Sequence, residues 1–208
     1  MQKESGAEEG ARLRGLPPLD TKGARILVLG SFPSVSSLEK SEYYAHQRNH
    51  FWPILATIAL QREKRAVGAG SPKVEDAPPD WPSRVVLAME LGLAIWDLVA
   101  SCERSGSLDT AIKNPTLNDI DAFVAERPSL GCIVLNGSAA SAFFAKRFAP
   151  GSGLESAAFG EARPIRLGGR DLLARRLPST SPVPTARFRK IADKLSLWKQ
   201  ALQEGIVE

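Results

Sequence analysis

The side chains able to do chemistry are gathered in a few short segments. Tyr43-Tyr44-Ala45-His46-Gln47-Arg48-Asn49-His50-Phe51-Trp52 mixes aromatics with carboxamide, imidazole and guanidinium groups. Aromatic rings stack on nucleobases, and a carboxamide can hydrogen-bond a base edge or hold a water. Gly30-Ser31-Phe32-Pro33-Ser34 joins two hydroxyls and an aromatic to a glycine, which lets the backbone turn sharply and approach a ligand closely. Asp97 and Asn136-Gly137-Ser138 each end an apolar run on a polar group. Leu177-Pro178-Ser179-Thr180-Ser181-Pro182 is stiffened by prolines and follows Arg175 and Arg176, so its hydroxyls and N–H groups suit phosphate oxygens.

Each of these has a plainer reading. Phe51 and Trp52 read as core residues, His46 and His50 as structural or surface ones, and residues 177–182 as a capped loop before a helix. Several chemistries are disfavoured outright. The chain carries neither a complete GxGxxG nor a GxxxxGK[ST] pattern, which argues against ordinary dinucleotide and P-loop nucleotide binding. It has no GxSxG elbow to support a Ser–His–Asp arrangement. Two histidines without a nearby carboxylate pair make a weak zinc site, and Cys102 and Cys132 are too few for a thiolate cluster or a disulfide framework. No cofactor and no metal is expected.

Positioning such groups requires elements that the hydropathy pattern outlines. Arg25 to Gly30 is a continuous apolar run, the mark of a strand buried on both faces. Leu93 to Leu98 and Cys132 to Asn136 are further strand candidates, and Pro164–Leu167 with Leu172–Leu177 reads as a strand pair around Gly168-Gly169. Helices are expected over Phe51–Leu60, Arg84–Leu91 and Ser138–Phe148. An amphipathic closing helix is expected from Pro184 onward, on the spacing of Phe188, Ile191, Leu195 and Trp198. Residues 68–82 read as a loop, and no internal repeat is visible. Strands alternating with helices argue for an α/β layer fold with a mostly parallel sheet. Ligands bind such sheets beyond the carboxyl ends of the strands, where Gly30–Ser34, the Asp97 region, Asn136–Ser138 and Leu177–Pro182 lie.

The chain has 208 residues and a net charge of +4, enough length for one domain with a core of its own. The expected division is a flexible lead-in over 1–22 and a single domain over 23–208. No apolar run is long enough to cross a bilayer and the N-terminus opens no apolar stretch, so neither a membrane span nor a signal peptide is expected. A reducing, intracellular setting follows as the default. Residues 161–200 hold ten Lys/Arg against three Asp/Glu, whereas 71–130 hold five against ten. A basic segment beside an acidic body is the footprint expected of a polyanion binder; the bland reading is a solvated, arginine-rich helix face.

Taken together and in order, four stretches resemble the uracil-DNA glycosylase superfamily, and more narrowly its hypoxanthine-DNA (deoxyinosine) glycosylase branch. They are LVLGSFPSVSSLEKSEYYAHQRNHFWPIL at 27–55, GLAIWDLVASCERSGSLDTAI at 92–112, IVLNGSAA at 133–140 and LPSTSPVPTARFRKIADKLSLW at 177–198. In this superfamily the first motif commonly reads Gly-x-x-Pro-Gly with a catalytic amide or acid inside. Here Ser31 and Phe32 stand in those places and Ser34 replaces the last glycine. The branch resemblance points instead to Asn49 as the catalytic residue. The second motif often begins with histidine, and here it begins with Leu177, which again matches the deoxyinosine branch better than the uracil-specific one.

The resemblance implies a three-layer α/β/α sandwich with a central, mostly parallel sheet. It also implies a monofunctional glycosylase that hydrolyses the N-glycosidic bond of a flipped-out deaminated base. Asn49 would orient the water, while Gly30, Ser31, Phe32, Pro33, Tyr44, Asp97 and Asn136 would form the base pocket, with Phe32 or Tyr44 stacking on the purine. Ser34, Arg48, Ser179, Thr180, Ser181, Pro182, Val183 and Arg187 would bind DNA, Pro182 and Val183 wedging into the vacated gap. No lysine lies within Gly30–Ser34, Tyr43–Trp52, Asn136–Ser138 or Leu177–Val183, so no Schiff-base step is indicated. The implied partner is DNA carrying deaminated bases, acted on by a monomer in the cytoplasm, at the nucleoid if the source is prokaryotic. Three alternatives stay open: the same fold acting on uracil, xanthine or a broad set of deaminated bases, a non-catalytic nucleic-acid-binding module, and an unrelated small-ligand α/β protein.

Overall fold

The computed structural model describes residues 12–67 and 74–205. Residues 1–11 of the expected lead-in and 68–73 of the expected loop lie outside the described residues.

A five-stranded sheet forms the middle layer. Its strands are β2 (Ile26–Gly30), β3 (Leu93–Asp97), β6 (Cys132–Asn136), β7 (Ala162–Leu167) and β8 (Arg170–Leu177), in the spatial order β3-β2-β6-β8-β7. The first four are parallel, and β7 pairs antiparallel with β8 at one edge. Continuous aliphatic runs are what a sheet covered on both faces requires, and every residue of β2 is buried. The pleat sends alternate side chains to opposite faces. Ile26 and Val28 meet α2 (Phe51–Val67), α3 (Trp81–Glu90) and α6 (Ile191–Glu204). Leu27 and Leu29 meet α4 (Ile120–Ala125) and α5 (Ser138–Phe148). The result is the α/β/α sandwich anticipated from the sequence.

The hairpin β7–β8 turns at Gly168-Gly169, whose φ values of 57° and 77° are the positive angles that a tight two-residue turn needs. Pro53 sits in the first turn of α2, where its missing N–H costs nothing.

Several boundaries differ from expectation. Helix α2 continues to Val67, beyond the Leu60 at which its apolar run ends. Helix α3 starts at Trp81 because Asp80 caps it, accepting from the Ser83 N–H at 2.8 Å. The closing helix begins at Ile191 rather than near Pro184. Asp193 Oδ2 accepts the N–H groups of Arg189 and Lys190, each at 2.8 Å, which fixes the start there. Phe188 therefore lies before the helix and packs edge-on against Phe159, ring centroids 5.0 Å apart.

A second sheet of three strands was not anticipated. It comprises β1 (Leu13–Arg14), β4 (Val99–Glu103) and β5 (Lys113–Leu117), in the order β1-β4-β5. The expectation of a loose lead-in through residue 22 is corrected from residue 12 onward. Leu13 pairs with Cys102, Leu19 bridges Ile95, Thr21 donates to the Leu93 carbonyl, and the Leu16 carbonyl accepts from Trp96 Nε1 and the Tyr43 hydroxyl. Main-chain groups buried this way need partners, and the sheet edge supplies them.

Candidate active site

The carboxyl ends of β2, β3, β6 and β8 open into one cleft of about 530 Å³, within the range of small-ligand sites. Its lining includes Gly30 to Ser34, Tyr44, Arg48, Asn49, Asp97, Asn136 and Ser179 to Val183. Of the residues expected at the site, only Arg187 stays outside this lining; it is exposed and lies over the Phe188 ring.

Asn49 is half-buried on the segment entering α2. Its Oδ1 accepts the Phe51 N–H at 2.9 Å, and its own N–H donates to the His46 carbonyl at 2.8 Å. The side chain thus caps the helix entry and faces the cleft with its amide nitrogen uncommitted to that cap. The next residue ties this segment to the opposite wall, the His50 N–H donating to the Thr180 carbonyl at 2.9 Å.

Thr180 is a brace, which corrects its expected role on phosphate. It has no exposed surface, its N–H donates to Asn136 Oδ1 at 2.9 Å, and its hydroxyl accepts from Asn136 Nδ2 at 2.9 Å. Asn136 therefore spends one donor and one acceptor on the loop while still lining the cleft. Gly137 is needed here, because its φ is 106° and a Cβ would lie 2.9 Å from that of Ser179. In the same loop the Ser179 hydroxyl accepts from the Ser181 N–H and the Ser181 hydroxyl from that of Val183. Pro182 is half-buried and Val183 is 58% exposed at the rim.

The floor is carboxylate-rich. Asp97 is 4% exposed, and its Oδ2 has no hydrogen-bond partner. Burial, followed by the neighbouring Asp109 charge, pushes its carboxyl up to about 7 against the opposing pull of Arg104. Asp109 was missed in the sequence: it opens a single 3-10 turn, Asp109–Ala111, accepts a hydrogen bond from the Ser31 hydroxyl, and is itself raised by burial. Two further bonds strap residues 104–109 to the first motif. Arg104 donates to the Pro33 carbonyl, and the Val35 N–H donates to the Ser107 hydroxyl at 3.1 Å. Ser34 is committed to capping the short helix α1 (Val35–Lys40), accepting from the Ser37 N–H at 3.2 Å.

The two aromatic candidates separate on exposure. Phe32 is 7% exposed, packs with Val99 and Cys102, and has the Arg104 guanidinium 4.7 Å from its ring centroid. Tyr44 is half-buried, adopts φ 56° and stacks on Phe51 with centroids 4.0 Å apart. Its hydroxyl is buried beside the Asn136 side chain, and burial raises its pKa, so it stays protonated.

Part of the basic segment is occupied within the fold. Arg170 donates to the carbonyls of Val124, Arg127 and Leu130 at the end of α4. Arg175 pairs with Glu204 at 2.5 Å, and Arg176 donates to the carbonyls of Glu155 and Ala157. Arg163 and Arg166 pair with Glu161 and Asp171. Lys194 is 1% exposed and donates to the Ser181 carbonyl from behind the loop; desolvation lowers it to about 8. Arg187, Arg189 and Lys190 remain exposed. Among the described residues no group of three or more His, Cys, Asp or Glu is placed to hold a metal ion, and no helix is long and apolar enough to cross a membrane.

Comparison with known proteins agrees with this architecture. Residues 17–203 match the family model of the uracil DNA glycosylase superfamily. A hypoxanthine DNA glycosylase of Methanosarcina barkeri (strain Fusaro / DSM 804) is 27% identical over 124 residues, 60% of this chain and 70% of that protein. A second protein of that name, from Methanosarcina acetivorans, is 28% identical over 130 residues, 62% and 74% of the two chains. The solution NMR structure of a candidate uracil DNA glycosylase from Methanosarcina acetivorans superposes with a TM-score of 0.62. That match covers 93% of this chain and 98% of that one at 23% identity, a likeness of fold. With nearly its whole length described by one family model, the chain belongs to the uracil DNA glycosylase superfamily.

Proposed function

We propose that this member of a DNA glycosylase superfamily removes hypoxanthine from DNA by hydrolysing the N-glycosidic bond of flipped-out deoxyinosine, as a step of base excision repair. The observation that carries the reading is the placement of Asn49, half-buried in the same cleft as Gly30–Ser34 and Ser179–Val183. The two hypoxanthine DNA glycosylases with which the chain shares 27% and 28% identity support the choice of base.

A base in a duplex is out of reach, so extrusion costs a few kcal/mol, less for a mispair such as inosine opposite thymine. Val183 and Pro182 at the rim are placed to fill the space left behind. The purine enters the cleft against Tyr44, the aromatic with more surface open to it. Backbone N–H groups near Ser31 and Phe32 hydrogen-bond the departing base. The sugar passes through a cation-like state. Asn49 holds the attacking water with its carboxamide, the Oδ1 already fixed by the Phe51 N–H so that the group is pre-oriented. Ser179, Ser181 and Arg48 meet the flanking phosphates, whose negative charge favours the cationic sugar.

A panel of oligonucleotides carrying deoxyinosine, deoxyuridine, deoxyxanthosine or an undamaged base tests this. Free hypoxanthine and an abasic strand from the first substrate are expected as the dominant products. Dominant release of uracil or xanthine would reassign the substrate, and inosine-specific binding without any abasic product would make the protein a binding module.

A further inference from the structure

Two polar groups of the cleft are buried and under-satisfied: Asp97 Oδ2 has no hydrogen-bond partner, and the Tyr44 hydroxyl has only the Asn136 side chain beside it. Both converge on Gly30. A Cβ at that position would overlap Asp97 Oδ1 and lie 3.4 Å from the Tyr44 hydroxyl, so the missing side chain leaves the space these groups occupy. Native proteins satisfy nearly all such atoms, and a carboxyl oxygen left unpaired at a cleft floor calls for a ligand that completes it. Asn49, on the segment leading into α2, has no proton to give up at neutral pH, so it cannot protonate a leaving base. Asp97 can, if it enters the reaction as the acid.

We propose that Asp97 is the general acid of the reaction, handing its proton to N7 of the departing hypoxanthine, with the Tyr44 hydroxyl hydrogen-bonded beside it. This rests on the reading of the protein as a hypoxanthine glycosylase. As the C1′–N9 bond breaks, its electron pair passes into the purine ring. The Asp97 O–H bond breaks in the same step and its proton goes to N7, so the base leaves as neutral hypoxanthine and Asp97 becomes a carboxylate. The oxygen of the water at Asn49 bonds to C1′, and the proton that water sheds passes to solvent. Asp97 takes a proton back from solvent once the base has gone.

The surroundings suit an acid of this kind. Asp109 faces Asp97 from the 3-10 turn and opposes its ionisation, while Arg104, at the end of β4, favours it. Tyr43 and Tyr44 face it from the segment before α2, both held neutral by burial. The balance leaves the Asp97 carboxyl near 7, where a group both carries a proton and releases one readily. Hypoxanthine offers N7 as an acceptor, a ring nitrogen that uracil lacks, so the device favours purines.

The test is single-turnover release from deoxyinosine and from 7-deaza-2′-deoxyinosine, which has carbon in place of N7, between pH 5 and 9. For wild type on deoxyinosine the rate should be level at low pH and fall about tenfold per pH unit above about 7. Asp97→Asn should be slower by on the order of 100-fold at pH 6, with no such fall above it. On the 7-deaza substrate wild type should already lack the pH-dependent fall, and Asp97→Asn should change little further. A variant that keeps the fall, or that slows both substrates equally, overturns the proposal and leaves Asp97 a structural residue. Should Asp97→Asn fail to fold, the wild-type comparison of the two substrates decides alone, identical pH profiles overturning the proposal. If wild type releases no hypoxanthine at any pH, the underlying functional reading fails instead.

Discussion

Replacing Thr180 by valine separates a brace from a phosphate contact. The substitution keeps the shape and the two main-chain bonds of Thr180, to Asn136 Oδ1 and from the His50 N–H. It deletes the 2.9 Å bond from Asn136 Nδ2 to the Thr180 hydroxyl and leaves a donor facing apolar surface. A buried donor without a partner costs about 1–3 kcal/mol. For a chain of 208 residues that is a fall in Tm of roughly 3–8 °C. Because Asn136 and the His50–Asn49 segment both hang on Thr180, excision should also slow, by about 10-fold. Were the hydroxyl a phosphate ligand instead, its loss would leave Tm unchanged and weaken oligonucleotide binding alike for every sequence, with the salt slope unaltered because a neutral hydroxyl releases no counterion. Differential scanning calorimetry and an oligonucleotide-binding titration at fixed salt read both quantities. An unchanged Tm together with weaker binding would refute the bracing role.

Asp97→Asn should stabilise the fold in a pH-dependent way. With its carboxyl raised from 3.8 to about 7, the folded chain holds a proton that the unfolded chain gives up above pH 4. Wild-type stability therefore falls between about pH 4 and 7 and levels off above. The variant's advantage should grow by up to ~4 kcal/mol across that window in urea unfolding, and a difference that stays constant with pH would contradict the shift. Arg170→Met should lower stability by about 2–3 kcal/mol by freeing the α4 carbonyls, while oligonucleotide affinity at a fixed salt concentration stays within twofold; a selective loss of affinity would return Arg170 to the DNA surface.

Much of the sandwich was legible because its strands are buried on both faces and bounded by glycines. Cys132–Asn136 lies between Gly131 and Gly137, and both β6 and α5 fall where the run and its glycines put them. The small sheet was not legible, since β5 is almost wholly exposed and shows no alternation. Gly30–Ser34, Asp97, Asn136 and the loop at 177–182 could be placed in one cleft from strand order, because parallel strands deliver their carboxyl ends to one side, whereas the site roles of Asn49 and Tyr44 came from the family resemblance. What escaped was the direction in which side chains spend their hydrogen bonds. Thr180 and Asn136 meet across 44 positions of sequence, and Asp109 is brought to Ser31 by a strap with no hydropathic mark. Ten basic residues in 161–200 suggested a polyanion surface, yet arginine also satisfies main-chain carbonyls after helices and in turns, and Arg170 and Arg176 are used that way.

The most direct measurement is the single-turnover rate of hypoxanthine release by Asn49→Ala and Asn49→Ser, set beside their affinity for the same inosine-containing DNA. Serine retains an acceptor for the Phe51 N–H and hence the helix cap, but it is too short to hold the water. Both variants should lose about 2–4 kcal/mol of transition-state stabilisation, roughly 30- to 1000-fold in rate, with DNA affinity nearly unchanged. Release by Asn49→Ser within threefold of wild type would show that the side chain only caps α2, and the account of the site would be wrong.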